Sequence, residues 1–159
     1  MNLTEQLKIF SENEYREFSK RLIPDTKYPI LGVRVPKIKQ LAKNAITDGV
    51  AQNFLNEKHT FYEEYFLHGI ILGNLKIEFD KLLDKIESFL PYIDNWAICD
   101  STVSALKIFK KHKLEVFERL KVWLNSDNPY TVRFAIVTLL WYFIDEEFLD
   151  SSIILAKNA

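Results

Sequence analysis

Trp96 and Asp100 lie four residues apart in Asn95-Trp-Ala-Ile-Cys-Asp100, and Arg133 stands in a second run, Asn128-Pro-Tyr-Thr-Val-Arg-Phe-Ala135. On an α-helix, positions i and i+4 share a face, so an indole and a carboxylate would point the same way. An aromatic face beside a carboxylate can stabilise a cation. An arginine brought close to both can hold an anion such as phosphate. Each residue also has a plainer reading. Trp96 at helical spacing suits a core, Asp100 could bond Ser101, Ser104 or a neighbouring helix, and Arg133 could pair with Asp127.

Other chemistries find no support. His59, His68 and His112 are scattered and Cys99 is the only cysteine, so no metal site is expected. Cys99 sits in an apolar run and reads as an inert buried thiol. There is no Gly-x-Ser-x-Gly and no glycine-rich phosphate loop. Gly69-Ile-Ile-Leu-Gly73 reads instead as an apolar helix whose backbone packs closely on a neighbour.

The net charge of −1 argues against nucleic acid, but its distribution does not. Residues 20–43 carry seven basic side chains against Asp25 alone, and residues 101–121 carry six against Glu115 and Glu118. The intervening 44–100 has four basic and ten acidic residues. Such banding can leave one face positive, as phosphate binding requires, although charged runs also serve simply as solvated faces. A cationic centre flanked by phosphates is the demand made by a sugar–base bond breaking in DNA.

The elements that must position these residues read as helices throughout. Leu3, Leu7, Phe10, Tyr15, Phe18 and Leu22 give one or two opening helices. Pro24, Pro29, Gly32 and Pro36 mark a loop, and Pro36 suits the first turn of a helix running to Asp48-Gly49. Further helices are expected at about 50–56, 60–74, 78–90, 93–110, 113–125, 129–144 and 146–157. Asp127-Asn128-Pro129 is a strong start signal. From 78 onward the helices pair at about 35 residues per pair (78–90 with 93–110, 113–125 with 129–144), the scale of a helical solenoid repeat. The expected fold is all-α: a right-handed α-solenoid of HEAT-like helical pairs, an α-α superhelix with a concave binding face. The 159 residues, 48% hydrophobic and 27% charged, fit one HEAT-like domain over 1–159 with a real core. The single cysteine and the absence of a signal peptide or long apolar run imply a cytoplasmic protein that spans no membrane.

Three segments together resemble the HEAT-like DNA alkylation repair proteins, the AlkD-like DNA glycosylases. They are Leu31-Gly-Val-Arg-Val-Pro36 with Lys39-Gln-Leu-Ala-Lys43, then Asn95-Trp-Ala-Ile-Cys-Asp100, then Asn128-Pro-Tyr-Thr-Val-Arg-Phe-Ala135. The resemblance runs from about Tyr15 to Phe148. It implies excision of cationic N3- and N7-alkylated purines from duplex DNA, without turning the lesion out of the helix. Trp96 matches the tryptophan that lies against the lesion sugar, and Asp100 matches the aspartate that stabilises the oxocarbenium-like sugar and positions water. Arg133 matches the arginine that grips phosphate. The resemblance implies no cofactor, because an alkylated purine already carries its positive charge and leaves as a neutral base.

Further phosphate contacts are expected from Arg34, Lys37, Lys107, Lys110 and Lys111. Arg34 departs from the family, which has a neutral polar residue there. The family's second sugar-flanking tryptophan would fall beyond Ala159, implying a domain truncated at its C-terminus. Trp123 and Trp141 read as packing residues, with Trp141 alternatively at an exposed end. The expected partner is duplex DNA with alkylated bases, met by a monomer. Two other readings share these residues: a HEAT-repeat protein that binds DNA without excision, and a protein-interaction module whose basic bands are only solvated.

Overall fold

The computed structural model describes residues 1–159 as ten α-helices and two 3-10 turns, with no strand. The helices are α1 (Leu3–Ile9), α2 (Asn13–Leu22), α3 (Val35–Thr47), α4 (Ala51–Asn56) and α5 (Tyr62–Asn74), then α6 (Phe79–Phe89), α7 (Trp96–Ala105), α8 (Lys113–Trp123), α9 (Pro129–Tyr142) and α10 (Leu149–Lys157). The 3-10 turns are Leu90–Tyr92 and Lys107–Lys111.

Local chemistry explains the starts. Asn2 caps α1 in a capping box with Glu5, Pro36 occupies the first turn of α3, and Asn95 Oδ1 accepts the Ile98 N–H at 3.0 Å to cap α7. Asn128 caps α9 directly before Pro129, as the local sequence signals. The single helix expected over 93–110 is divided instead. α7 ends at Ala105, and the chain tightens into a 3-10 turn that buries Phe109 while exposing Lys107, Lys110 and Lys111. Apolar spacing alone does not distinguish the two helix types.

α3, α5, α7 and α9 form a row, each packing chiefly on the next, while α4, α6 and α8 lie outside it. α6 leans mainly on α5 and the Leu90–Tyr92 turn, whereas α8 packs on α9. α7 packs between α5 and α9. One contiguous core of 41 buried residues runs from Leu3 to Phe148. α5 is its axis, buried on nearly every face. The close approach of α7 to α5 depends on two glycines. A Cβ at Gly69 would overlap the Thr102 side chain, and one at Gly73 would overlap Ala105. Gly69-Ile-Ile-Leu-Gly73 is thus a packing device.

Two buried or half-buried carboxylates fasten the loop before α3. Glu63, buried on α5, accepts the backbone N–H of Leu31 at 2.9 Å, Gly32 at 2.7 Å and Val33 at 3.2 Å. Gly32 there has φ +88°, and a Cβ would strike the backbone of Glu12 and Arg16. Asp94 accepts the Thr26 hydroxyl at 2.9 Å and the Lys27 N–H at 2.7 Å, joining the same loop to the start of α7. Burial pushes the Glu63 carboxyl above its ordinary range, and the three N–H donors oppose that shift.

Candidate nucleic-acid interface and active site

Trp96 is the first residue of α7 and is not a core residue. It is 43% exposed, and its indole N–H donates to the Leu22 carbonyl at 3.1 Å. That bond fixes the ring while leaving much of it open. Trp96 lines a small cavity of about 160 Å³ with Tyr15, Val35, Lys39, Ser101 and Ser104 among others.

Asp100 follows one helical turn later and meets Arg133 of α9. The guanidinium donates two parallel bonds, Nε to Oδ1 at 3.0 Å and Nη2 to Oδ2 at 2.8 Å. Arg133 thus bonds Asp100 rather than Asp127. The fork of the guanidinium matches the carboxylate, as it would match a phosphate. Both side chains are substantially exposed, at 34% and 43%, so the pair adds about 1 kcal/mol or less to stability. The carboxylate holds the Arg133 guanidinium above its ordinary pKa. Beneath them, burial pushes the Cys99 thiol up to about 12, so at neutral pH it is a protonated, inert packing group.

The expected phosphate contacts divide into two groups. Arg34, at the N-cap of α3, is paired with Glu12 through Nε at 3.0 Å to both carboxylate oxygens and lies 5.0 Å from the Tyr15 ring centre. Lys37 lies over Phe10, with 4.9 Å to the ring centre. Lys107 is exposed at the end of the helix row. It lines a cavity of about 430 Å³ with Lys39 and Lys43 of α3, Asn74 and Ser104. Lys110 and Lys111 project from the 3-10 turn into solvent.

Lys39 and Lys43, members of the first basic band, lie four apart on one face of α3. Only the packing of α3 and α7 on the shared helix α5 brings them to the same cavity as Lys107, joining the two basic bands. Lys39 and Ser104 also line the Trp96 cavity, so a continuous surface runs from Tyr15 and Trp96 to Lys43 and Lys107. Trp123 is buried, donates its indole N–H to Glu87 at 3.2 Å, and is a packing residue. Trp141 is 56% exposed. No group of histidine, cysteine and carboxylate side chains is arranged to hold a metal, and no helix is long and apolar enough to cross a membrane.

An exposed indole, a forked carboxylate–arginine pair one turn away and a lysine-lined cavity make up this candidate site. No curated protein and no solved structure matches the chain significantly. The family model described as DNA alkylation repair enzyme matches residues 3–159, and the chain belongs to that family.

Proposed function

We propose that the protein is a DNA glycosylase that excises cationic N3- and N7-alkylated purines from duplex DNA. The observation that carries this reading is the forked Asp100–Arg133 pair one turn from the half-open Trp96 ring. In the proposed cycle a backbone phosphate takes the guanidinium fork in place of Asp100. The exchange is inexpensive because the exposed pair is weak. It frees a carboxylate to stabilise the oxocarbenium-like sugar, to orient water toward the anomeric carbon and to take that water's proton on its way to solvent. Trp96 offers its π face to the same positive charge. The departing base takes the electrons of the glycosidic bond and leaves neutral, so no protein acid is required.

Lys39, Lys43 and Lys107 hold the flanking backbone, joined at the periphery by Lys37, Lys110 and Lys111. Arg34 contributes once Glu12 releases it. The row α3–α5–α7–α9, with α4, α6 and α8 outside it, supports a single domain built as a right-handed solenoid of helical pairs whose inner row faces DNA.

Release of 7-methylguanine or 3-methyladenine from duplex DNA tests the reading. Asp100→Asn is expected to lower single-turnover release by about 100-fold or more while leaving DNA affinity equal or improved. Release at the unaltered rate in this variant would remove Asp100 from the chemistry. The pairing of Asp100 with Arg133 also favours a second reading, in which the fold holds distorted DNA without excision. Salt-sensitive binding with no base released by the unaltered protein would establish that reading.

A further inference from the structure

A separate cavity of about 610 Å³ opens between the end of α4, α5 and α6, away from Trp96, Asp100 and Arg133. His59 and His68 lie in its wall and share one hydrogen bond, Nε2 to Nδ1 at 2.8 Å. Each ring is held by an aromatic partner. His59 stacks on Phe54 at 4.5 Å between centres, and His68 on Phe89 at 4.4 Å with only 4° between planes. Burial lowers the pKa of both imidazoles, that of His68 to about 3, so the pair is neutral at pH 7.

Two neutral imidazoles carry two N–H groups, and their mutual bond uses one. Whichever tautomer is present, one outer nitrogen donates and the other accepts. Neither outer nitrogen, Nδ1 of His59 or Nε2 of His68, has a partner in the protein, and no buried side-chain nitrogen is left unpartnered. Both therefore open to accessible space. Tyr65 and Tyr92 form the aromatic part of the cavity, 5.8 Å apart and 20° from parallel, and Tyr92 is 50% exposed. Lys58 and Lys85 are balanced by Glu57 and Asp84 on the same wall, so the cavity has no excess of either sign.

We infer that this cavity binds a neutral, planar heteroaromatic molecule of the nucleobase or nucleoside class, stacked on Tyr92 and hydrogen-bonded to the His59–His68 pair. Its volume lies within the range of small-molecule sites. The outer nitrogens lie at opposite ends of the pair, too far apart to meet adjacent groups of one edge. A nucleobase therefore bonds one of them, which donates or accepts according to the tautomer, and a stacked aromatic is the usual second half of such recognition. The site is independent of the proposed excision chemistry.

Adenosine is the probe, with the full chain at pH 7, followed by ¹⁵N shifts of the histidine rings and by calorimetry. Saturable binding that moves both His59 and His68 signals is expected. Tyr92→Ala, a change at an exposed ring that leaves the fold intact, should weaken binding by about tenfold through loss of stacking. His68→Phe keeps the stack on Phe89 and should weaken it by about fivefold or more through the lost hydrogen bond. Purine riboside, which lacks the amino donor, should bind about fivefold more weakly than adenosine. No imidazole shift at millimolar adenosine would overturn the assignment, as would equal affinity in folded Tyr92→Ala and His68→Phe proteins.

Discussion

The exposed Asp100–Arg133 pair adds little to stability, yet Arg133 meets the carboxylate with both arms of its guanidinium. That combination, weak energy with strict geometry, suits a partner that must be exchanged. Arg133→Lys replaces the fork with a point charge. It should leave the melting temperature within about 2 °C but weaken DNA binding, as a filter-binding titration would read. Trp96→Ala removes the π face and should slow excision by about 30-fold, the equivalent of about 2 kcal/mol. Trp96→Phe keeps an aromatic face but loses the bond to the Leu22 carbonyl. Its rate should fall between the two, and a rate equal to that of Trp96→Ala would show that ring orientation matters more than the π face.

At the scale of elements, the position of α7 depends on α5. Gly69 and Gly73 let the two helices approach until any Cβ overlaps Thr102 or Ala105. Gly69→Ala should therefore destabilise the fold by about 1–3 kcal/mol in urea denaturation, despite the gain in helix propensity that alanine brings. Glu63→Ala leaves three buried N–H groups without an acceptor and should cost about 3 kcal/mol or more.

The histidine pair sets a pH dependence. Both imidazoles have folded pKa values below the unfolded value of about 6.5, with Glu64 facing His59 and Lys85 facing His68. The unfolded chain thus binds more protons below that pH, and stability present in full above pH 6.5 is lost as the pH falls toward 3. The limiting slope is about 1.4 kcal/mol per pH unit per histidine. His68→Phe should flatten the curve of melting temperature against pH between 6.5 and 4, and an unchanged curve would mean that the pair titrates as in the unfolded chain.

For the whole molecule, a net charge of −1 conceals a basic surface. The two basic bands lie more than fifty residues apart, and the packing of α3 and α7 on α5 joins Lys39 and Lys43 to Lys107. If these three hold phosphates, log affinity for duplex DNA should fall linearly with log salt. Each substitution to alanine should then reduce the slope by about one. Lys110→Ala, at the periphery, should change it less. Absence of DNA binding even at low salt would leave the basic surface as a solvated face and favour the protein-interaction reading.

Helical periodicity, Pro36 and the start signal at Asn128-Pro129 determined by themselves that the chain is all-helical and where most helices begin, because these signals are local in the backbone. The same spacing put Trp96 and Asp100 on one helix, one turn apart. Local signals did not reveal the 3-10 turn after Leu106, since burial of Phe109 rather than propensity selects it. Nor did they identify the partner of Arg133, the grip of Glu63 on residues 31–33, or the meeting of His59 with His68. Each of these joins residues whose approach is set by which helices pack together. Tertiary structure alone decided that Arg34 is occupied by Glu12 while Lys39 and Lys43 share a cavity with Lys107. A side chain's charge is written in the sequence, but the partners it finds depend on the close packing of α3, α5, α7 and α9.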